Sequence, residues 1–427
     1  MQNNQKPFLL LQIVVTILSP LCYFIFHLSY TRGPLFASSD EGGYLSAART
    51  LTGHDFAIPS AVFPGSAVVL APLYLILNDP RSIWIGALAL NCVLASGILY
   101  LSGRLVKRWN PDAKPFDQLI TVLCVAVLPL LPTMTGYVFA SVLGTFGLLL
   151  SAVLVSSVTK GRHLSTCGFL ATISFLCTVH PTHMVLPLGM TAVLALSRHR
   201  LVHKLLYIFV PIFCAVALVR FGVAWLPQTF SIFERSNGPT YGGLQRFSGL
   251  LSAGRDAYVN VFKEIVTVST ALITATFGFV GVVVWSLGVR LKKKDSRRVS
   301  REQLALLTFL VLTIVGYVLL TSHPFGFVDN STYFSKRIEE NIFLRYLEPV
   351  IPLCIVVGLA EMRNCRTQYR WAFVGQFGIV VVGGLILANT LSERSKTSGD
   401  PTFIDVFKFM ANEYWPAHYI TSPNVLW

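Results

Sequence analysis

Residues 7–28 read PFLLLQIVVTILSPLCYFIFHL. The run has no Asp, Glu, Lys or Arg, and as a helix it is long enough to cross about 30 Å of hydrocarbon. It is too long for the apolar core of a cleaved secretory signal, so it is expected to stay as a membrane span. Working outward, similar runs recur along the whole chain. Hydrophobic residues make up 53% of the 427 residues and charged residues only 13%. Soluble domains carry about 25% charged residues. The expected class is therefore an all-α, polytopic membrane helical bundle. About eleven spans are expected, at 8–29, 83–103, 117–133, 137–158, 165–179, 184–197, 205–226, 265–289, 303–321, 346–361 and 371–390.

The net charge of +14 could suggest a nucleic-acid partner. The bases instead gather in short loops between apolar runs: Arg104, Lys107, Arg108 and Lys114; Lys160 and Arg162; Arg198, Arg200 and Lys204; a cluster between 290 and 301; and Arg363, Arg366 and Arg370. Short basic loops mark the cytoplasmic side. This places the N-terminus in the cytoplasm, the C-terminus outside, and the protein in the cell membrane, with no nucleic-acid partner expected. Residues 1–390 form the expected transmembrane module and 391–427 a short extracytoplasmic tail. The long loops 30–82, 227–264 and 322–345 fall on the outer side, where a site can be built. Seven of the eight cysteines lie in apolar runs and Cys365 in a basic loop, so neither a disulfide framework nor a Cys-based metal site is expected.

The stretch 61–77 is apolar enough to cross, but it is short and holds Pro64 and Pro72. If it crossed, the basic cluster at 104–114 would move outside and every later loop would invert. The region 31–82 therefore reads as one outer segment, with an amphipathic helix near 41–52 and a re-entrant or surface-lying piece after it.

That region opens on Ala37-Ser38-Ser39-Asp40-Glu41-Gly42-Gly43-Tyr44-Leu45. Carboxylates beside hydrocarbon are costly, which makes Asp40 and Glu41 candidates for acid–base chemistry. Helix capping explains them as well: Ser38-x-x-Glu41 has capping-box spacing, and Asp40 suits an N-cap. The two roles are compatible, because a cap fixes a carboxylate rigidly and an acidic neighbour raises one member's pKa.

Asp40-Glu41-Gly42-x-Tyr44-Leu45, followed by Ala48, Leu51, Gly53, Pro64 and Pro72-Leu73-Tyr74, resembles the first outer loop of the GT-C glycosyltransferases. The protein O-mannosyltransferase and aminoarabinose-transferase type is the nearest in flavour. Tyr100-Leu101-x-x-Arg104 is similar to the end of their next span, and Arg345-Tyr346-x-x-Pro349 to a segment before their last spans. Residues 35–105 carry most of the likeness.

The resemblance implies an enzyme that transfers a sugar from a polyprenyl-phosphate donor to a hydroxyl of a cell-envelope glycan, lipid or protein, on the outer face. Asp40 would be the general base and Glu41 its supporting or acceptor-binding neighbour. Inversion at the anomeric carbon would follow from one direct displacement. A leaving lipid phosphate calls for cations fixed at the membrane surface. Arg81, Arg220, Lys336, Arg337 and Arg345 are the candidates, with His323 in the loop 322–345. Arg220 stands inside an apolar run, where a charge needs a partner or must snorkel to the surface. Tyr44, Tyr74, Tyr346, His180 and His183 are candidate substrate-binding residues. The two histidines of His180-Pro181-Thr182-His183 have no third ligand close in sequence, so no metal site is expected. No cofactor is required, and a divalent cation is left open.

Two rivals come from other classes. A transporter or flippase of lipid-linked intermediates would place ionisable groups or broken helices at mid-membrane. A polysaccharide polymerase or ligase would place its key residues in a large late loop.

Overall fold

The structure is a computed structural model that describes residues 6–30, 39–53, 64–128, 130–136, 140–209, 275–292, 300–326 and 347–364, with scattered positions from 262 to 273. All regular structure among them is helical. The helices are α1 (Lys6–Tyr30), α2 (Ser39–Leu51), α3 (Pro64–Ile76), α4 (Pro80–Trp109), α5 (Pro115–Ala126), α6 (Leu130–Thr135), α7 (Ala140–Thr159), α8 (His163–Val179), α9 (Leu186–Leu196), α10 (Phe279–Lys292), α11 (Arg301–Gly326) and α12 (Ile351–Asn364). A 3₁₀ turn, Pro181–Val185, joins α8 to α9. A helical stretch at 201–209 follows α9.

Four of these helices are long and apolar enough to cross a membrane, within α1, α4, α7 and α11. α1 shows what its apolar surface is for. Leu10, Ile17 and Ile25 are each more than half exposed, as expected of side chains that face lipid. Its polar residues turn the other way. The Tyr23 hydroxyl donates to the Ala126 carbonyl, and His27 Nε2 lies 2.8 Å from the Pro132 carbonyl oxygen. α7 is the central helix, with Leu148, Leu149 and Val155 wholly buried.

Several expected spans are shaped differently. α4 starts at Pro80 because Asp79 caps it, its carboxylate accepting from Ser82 N at 2.8 Å. Its 30 residues rise about 45 Å, beyond the hydrocarbon at either end. The expected span 117–133 is two helices, α5 and α6, since Pro129 lacks the N–H that continuation needs. The expected span 265–289 is broken at Thr276–Gly278. There Phe277 (φ 50°) and Gly278 (φ 79°) turn left-handed, and Gly278 N donates back to Ile273 O at 2.8 Å, closing the preceding turn. The span at 371–390 and most of the one at 205–226 lie outside the described residues.

α3 is a 13-residue helix, about 20 Å long and too short to cross hydrocarbon. It packs along α2 and meets the end of α8, where Gly65 sits so close that a Cβ would lie 2.6 Å from Thr178 Oγ1. A separate apolar cluster holds this hairpin in place. Tyr44, Leu45, Ala47 and Ala48 of α2 join Ala67 and Leu70 of α3, the first turns of α4, Ala140 at the start of α7 and Val179 at the end of α8.

The bundle therefore has two chemically distinct ends. The α2–α3 hairpin occupies one. The other carries the basic loops, tied by ion pairs. Arg363 Nη1 meets Asp117 Oδ1 at 2.7 Å, and Lys160 Nζ meets Glu302 Oε1 at 3.1 Å. Glu361 is wholly buried and accepts from Arg290 Nη2 at 2.9 Å and from Trp109 Nε1 at 2.6 Å. The Arg290 guanidinium also lies over the Trp109 ring. One carboxylate thus ties α4, α10 and α12 together.

Candidate active site

The acidic motif opens α2. The helix begins at Ser39, earlier than the expected 41–52, and ends at Leu51. Asp40 and Glu41 therefore stand in its first turn, and Asp40 is a helical residue instead of the N-cap. Ser38 lies outside the described residues, as do the side-chain placements of Asp40 and Glu41. A carboxylate in a helix's first turn is favoured by the helix dipole. Tyr44, one turn on, is 5% exposed and packs in the apolar cluster under the hairpin.

Arg81 is exposed in the first turn of α4, at this same end, beside Asp79. Hydrogen bonds from the backbone and hydroxyl of Ser82 hold the Asp79 carboxyl below its ordinary pKa, and Arg81 adds to this. Tyr74 is partly buried on α3.

The histidine turn meets the hairpin through Val179, the residue before His180. His180 ends α8. Its Nδ1 accepts from Thr182 N at 3.3 Å and lies 2.8 Å from Thr182 Oγ1. His183 is 1% exposed, and its ring is 6.1 Å from that of His180. Its Nδ1 shares a hydrogen bond with the hydroxyl of Tyr317, which is wholly buried on α11. The imidazole fits because residue 144 of α7 is glycine: a Cβ there would stand 2.7 Å from His183 Nε2. That nitrogen has no hydrogen-bond partner among the described residues.

Two further buried polar atoms without a partner among the described residues belong to this end, Ser66 Oγ on α3 and Trp84 Nε1 on α4. With His183 Nε2 they are three buried polar atoms at the hairpin end without a hydrogen-bond partner among the described residues. Unpaired buried polar groups are rare in native proteins. Tyr317, Ser66 and Trp84 were not singled out from sequence. In an apolar run a lone Tyr or Trp reads as an interfacial residue, and nothing local separates the two.

His323, expected in a loop, is helical, in the last turns of α11 (Arg301–Gly326). It follows Tyr317 by six residues, about 9 Å along the axis, so it too belongs to the hairpin end. Arg220, Lys336, Arg337, Arg345 and Tyr346 lie outside the described residues. Among the described residues no group of three His, Cys, Asp or Glu could hold a metal ion.

No protein-family model matches this chain, and no curated protein sequence matches it either.

Proposed function

We propose that this protein is a membrane glycosyltransferase of the GT-C type. It would move a sugar from a polyprenyl-phosphate carrier to a hydroxyl of an envelope glycan, lipid or protein. Asp40 takes the proton of the acceptor hydroxyl. The oxygen then attacks the anomeric carbon, and the bond to the lipid phosphate breaks with its electron pair on the phosphate. Glu41 orients the acceptor, and Arg81 with the loop cations offsets the charge on the leaving phosphate.

The observation that carries this reading is a shared location. The helix that begins with Ser39-Asp40-Glu41 is packed against the same end of the bundle as His180, His183 and Arg81. That end also holds the buried polar atoms of Ser66, Trp84 and His183 that have no partner among the described residues. A transporter reading needs ionisable groups or broken helices midway through the bundle. The break at Thr276–Gly278 meets the second mark, whereas the buried pair Arg290–Glu361 lies at the basic end, in the last turns of α10 and α12.

The test uses the full chain reconstituted in vesicles with radiolabelled polyprenyl-phosphate sugars and mixed envelope acceptors. Release of free polyprenyl phosphate together with a labelled acceptor supports the reading. Movement of intact donor across the bilayer without transfer replaces it with the transporter.

A further inference from the structure

Three imidazoles meet at the basic end, far from the acidic motif. His163 opens α8, His199 lies in the turn after α9, and His203 is on the stretch 201–209. The His163 ring is 4.9 Å from that of His199 and 5.2 Å from that of His203. Tyr207 closes the group, its hydroxyl 2.6 Å from His163 Nδ1. The two turns are joined by their backbones, Arg198 N donating to Thr159 O at 3.1 Å.

The hydrogen bonds fix which nitrogens are left. The Thr166 hydroxyl donates to the Arg162 carbonyl, so at 2.8 Å from His199 Nε2 it must accept. His199 therefore carries its proton on Nε2, and Nδ1 takes up the second proton. His163 Nε2 and the His203 ring complete the set of nitrogens that no described hydrogen bond engages. The geometry does not suit a metal ion.

Around the imidazoles basic side chains predominate. Arg162, Arg198 and Arg200 are exposed, and Lys204 reaches the Ala195 carbonyl at 2.9 Å. The neighbouring carboxylate, Glu302 on α11, is already held by Lys160 and by the Ser156 hydroxyl. Cys167 is the thiol on this face of α8. The stretch 201–209 has two faces. His203 and Tyr207 turn to the cluster, while Leu201, Leu205 and Phe209, spaced four apart, are 70%, 45% and 64% exposed. An apolar stripe next to a cationic cluster matches acyl chains beside a headgroup.

We propose that His163, His199 and His203, with the arginines and lysine around them, bind the phosphate of an anionic membrane lipid. The exposed stripe of 201–209 lies against its acyl chains. Imidazolium and guanidinium donors give charge-assisted hydrogen bonds to phosphate oxygens. Juxtamembrane cations draw anionic lipids to this leaflet. Protonation makes the site acid-sensitive: burial and the positive neighbours His163, His203 and Lys204 hold His199 below its ordinary pKa. A bound phosphate reverses the effect of those neighbours, so lipid and proton bind together.

The test is binding of short-chain phosphatidylglycerol to the purified full chain in neutral detergent, read by native mass spectrometry and by thermal shift. Phosphatidylcholine and inorganic phosphate serve as comparison ligands. Binding should favour phosphatidylglycerol and tighten as pH falls from about 8 to about 6. The double variant His163→Gln/His203→Gln should bind about tenfold less tightly, with a weaker pH dependence carried by His199 alone. Lys107→Gln, at the same end but outside the cluster, should bind as the native chain does. If the double variant does not fold, the pH dependence of the native chain decides. Equal binding of both lipids, indifference to pH, or displacement by inorganic phosphate as effective as the lipid itself would each overturn the proposal.

Discussion

The Tyr317 hydroxyl and His183 Nδ1 share a hydrogen bond in the interior of the bundle, although the two residues are 134 positions apart. Both side chains are almost wholly buried. The bond ties α11 to the turn between α8 and α9, and so fixes the turn that adjoins the α2–α3 hairpin. Tyr317→Phe leaves the His183 nitrogen buried without its partner, a cost of about 1–3 kcal/mol. Thermal unfolding in detergent should show a clear drop in midpoint. A midpoint equal to that of the native chain would mean that the bond contributes nothing net.

The hairpin rests on Gly65, where the space for a Cβ is taken by Thr178 Oγ1 at 2.6 Å and by the Thr178 backbone at 2.8 Å. Backbone cannot rotate aside, so Gly65→Ala must move α3, at about 1–3 kcal/mol. Because α2 rides on α3, sugar transfer should fall in this variant. Gly168→Ala on α8 is the control, since its Cβ would meet only Leu154 Cδ1 at 3.8 Å. Equal transfer by both variants would separate hairpin position from activity.

At the basic end the ion pairs should differ sharply in worth. Glu361 is wholly buried beside Arg290, and Glu361→Ala leaves that guanidinium without its partner, costing about 3–5 kcal/mol. In the Lys160–Glu302 pair the lysine is exposed and the glutamate half-buried, and Lys160→Ala should cost at most about 1 kcal/mol. Denaturation of the two variants under one condition checks the order. Similar losses would contradict the assignment of Glu361 as the tie between α4, α10 and α12.

How much of this was legible beforehand depends on the range of the interaction. α1 follows from an unbroken apolar run, and the basic end from loop charge alone. Asp79-Pro80 is a local start signal for α4, since a capping carboxylate before a proline needs nothing distant. Pro129 likewise marks the break between α5 and α6, although the apolar run across it hides the signal. Phe277 is different. A phenylalanine gives no warning of a left-handed turn, and only the packed structure shows it. The acidic pair stood out because charge is rare near hydrocarbon. Tyr317 and Trp84 did not, because what matters about each is what lies, or does not lie, beside it across the bundle. The contact of Trp109 with Glu361 spans 252 positions and has no local trace.

The pH dependence of stability has a definite sign. Burial, then the neighbouring His163, His203 and Lys204, keep the folded-state pKa of His199 below the unfolded value of about 6.5. The folded chain takes up this proton less readily than the unfolded chain. The stabilisation is therefore complete above about pH 6.5 and is lost as pH falls through and below that value. In neutral detergent the unfolding midpoint should drop on acidification, and the drop should shrink in His199→Gln. A native chain that gains stability over that range, or a variant with an unchanged slope, would contradict this.

The most direct test of the central proposal compares the native chain with Asp40→Asn for sugar transfer from radiolabelled polyprenyl-phosphate sugars, with donor binding measured alongside. A general base contributes about 10²–10⁴-fold to rate. The expected result is a loss of that order in transfer with donor binding retained. Full transfer by Asp40→Asn would contradict it. It would return Asp40 to the first turn of α2 as a helix-stabilising carboxylate and leave the chemistry to other residues.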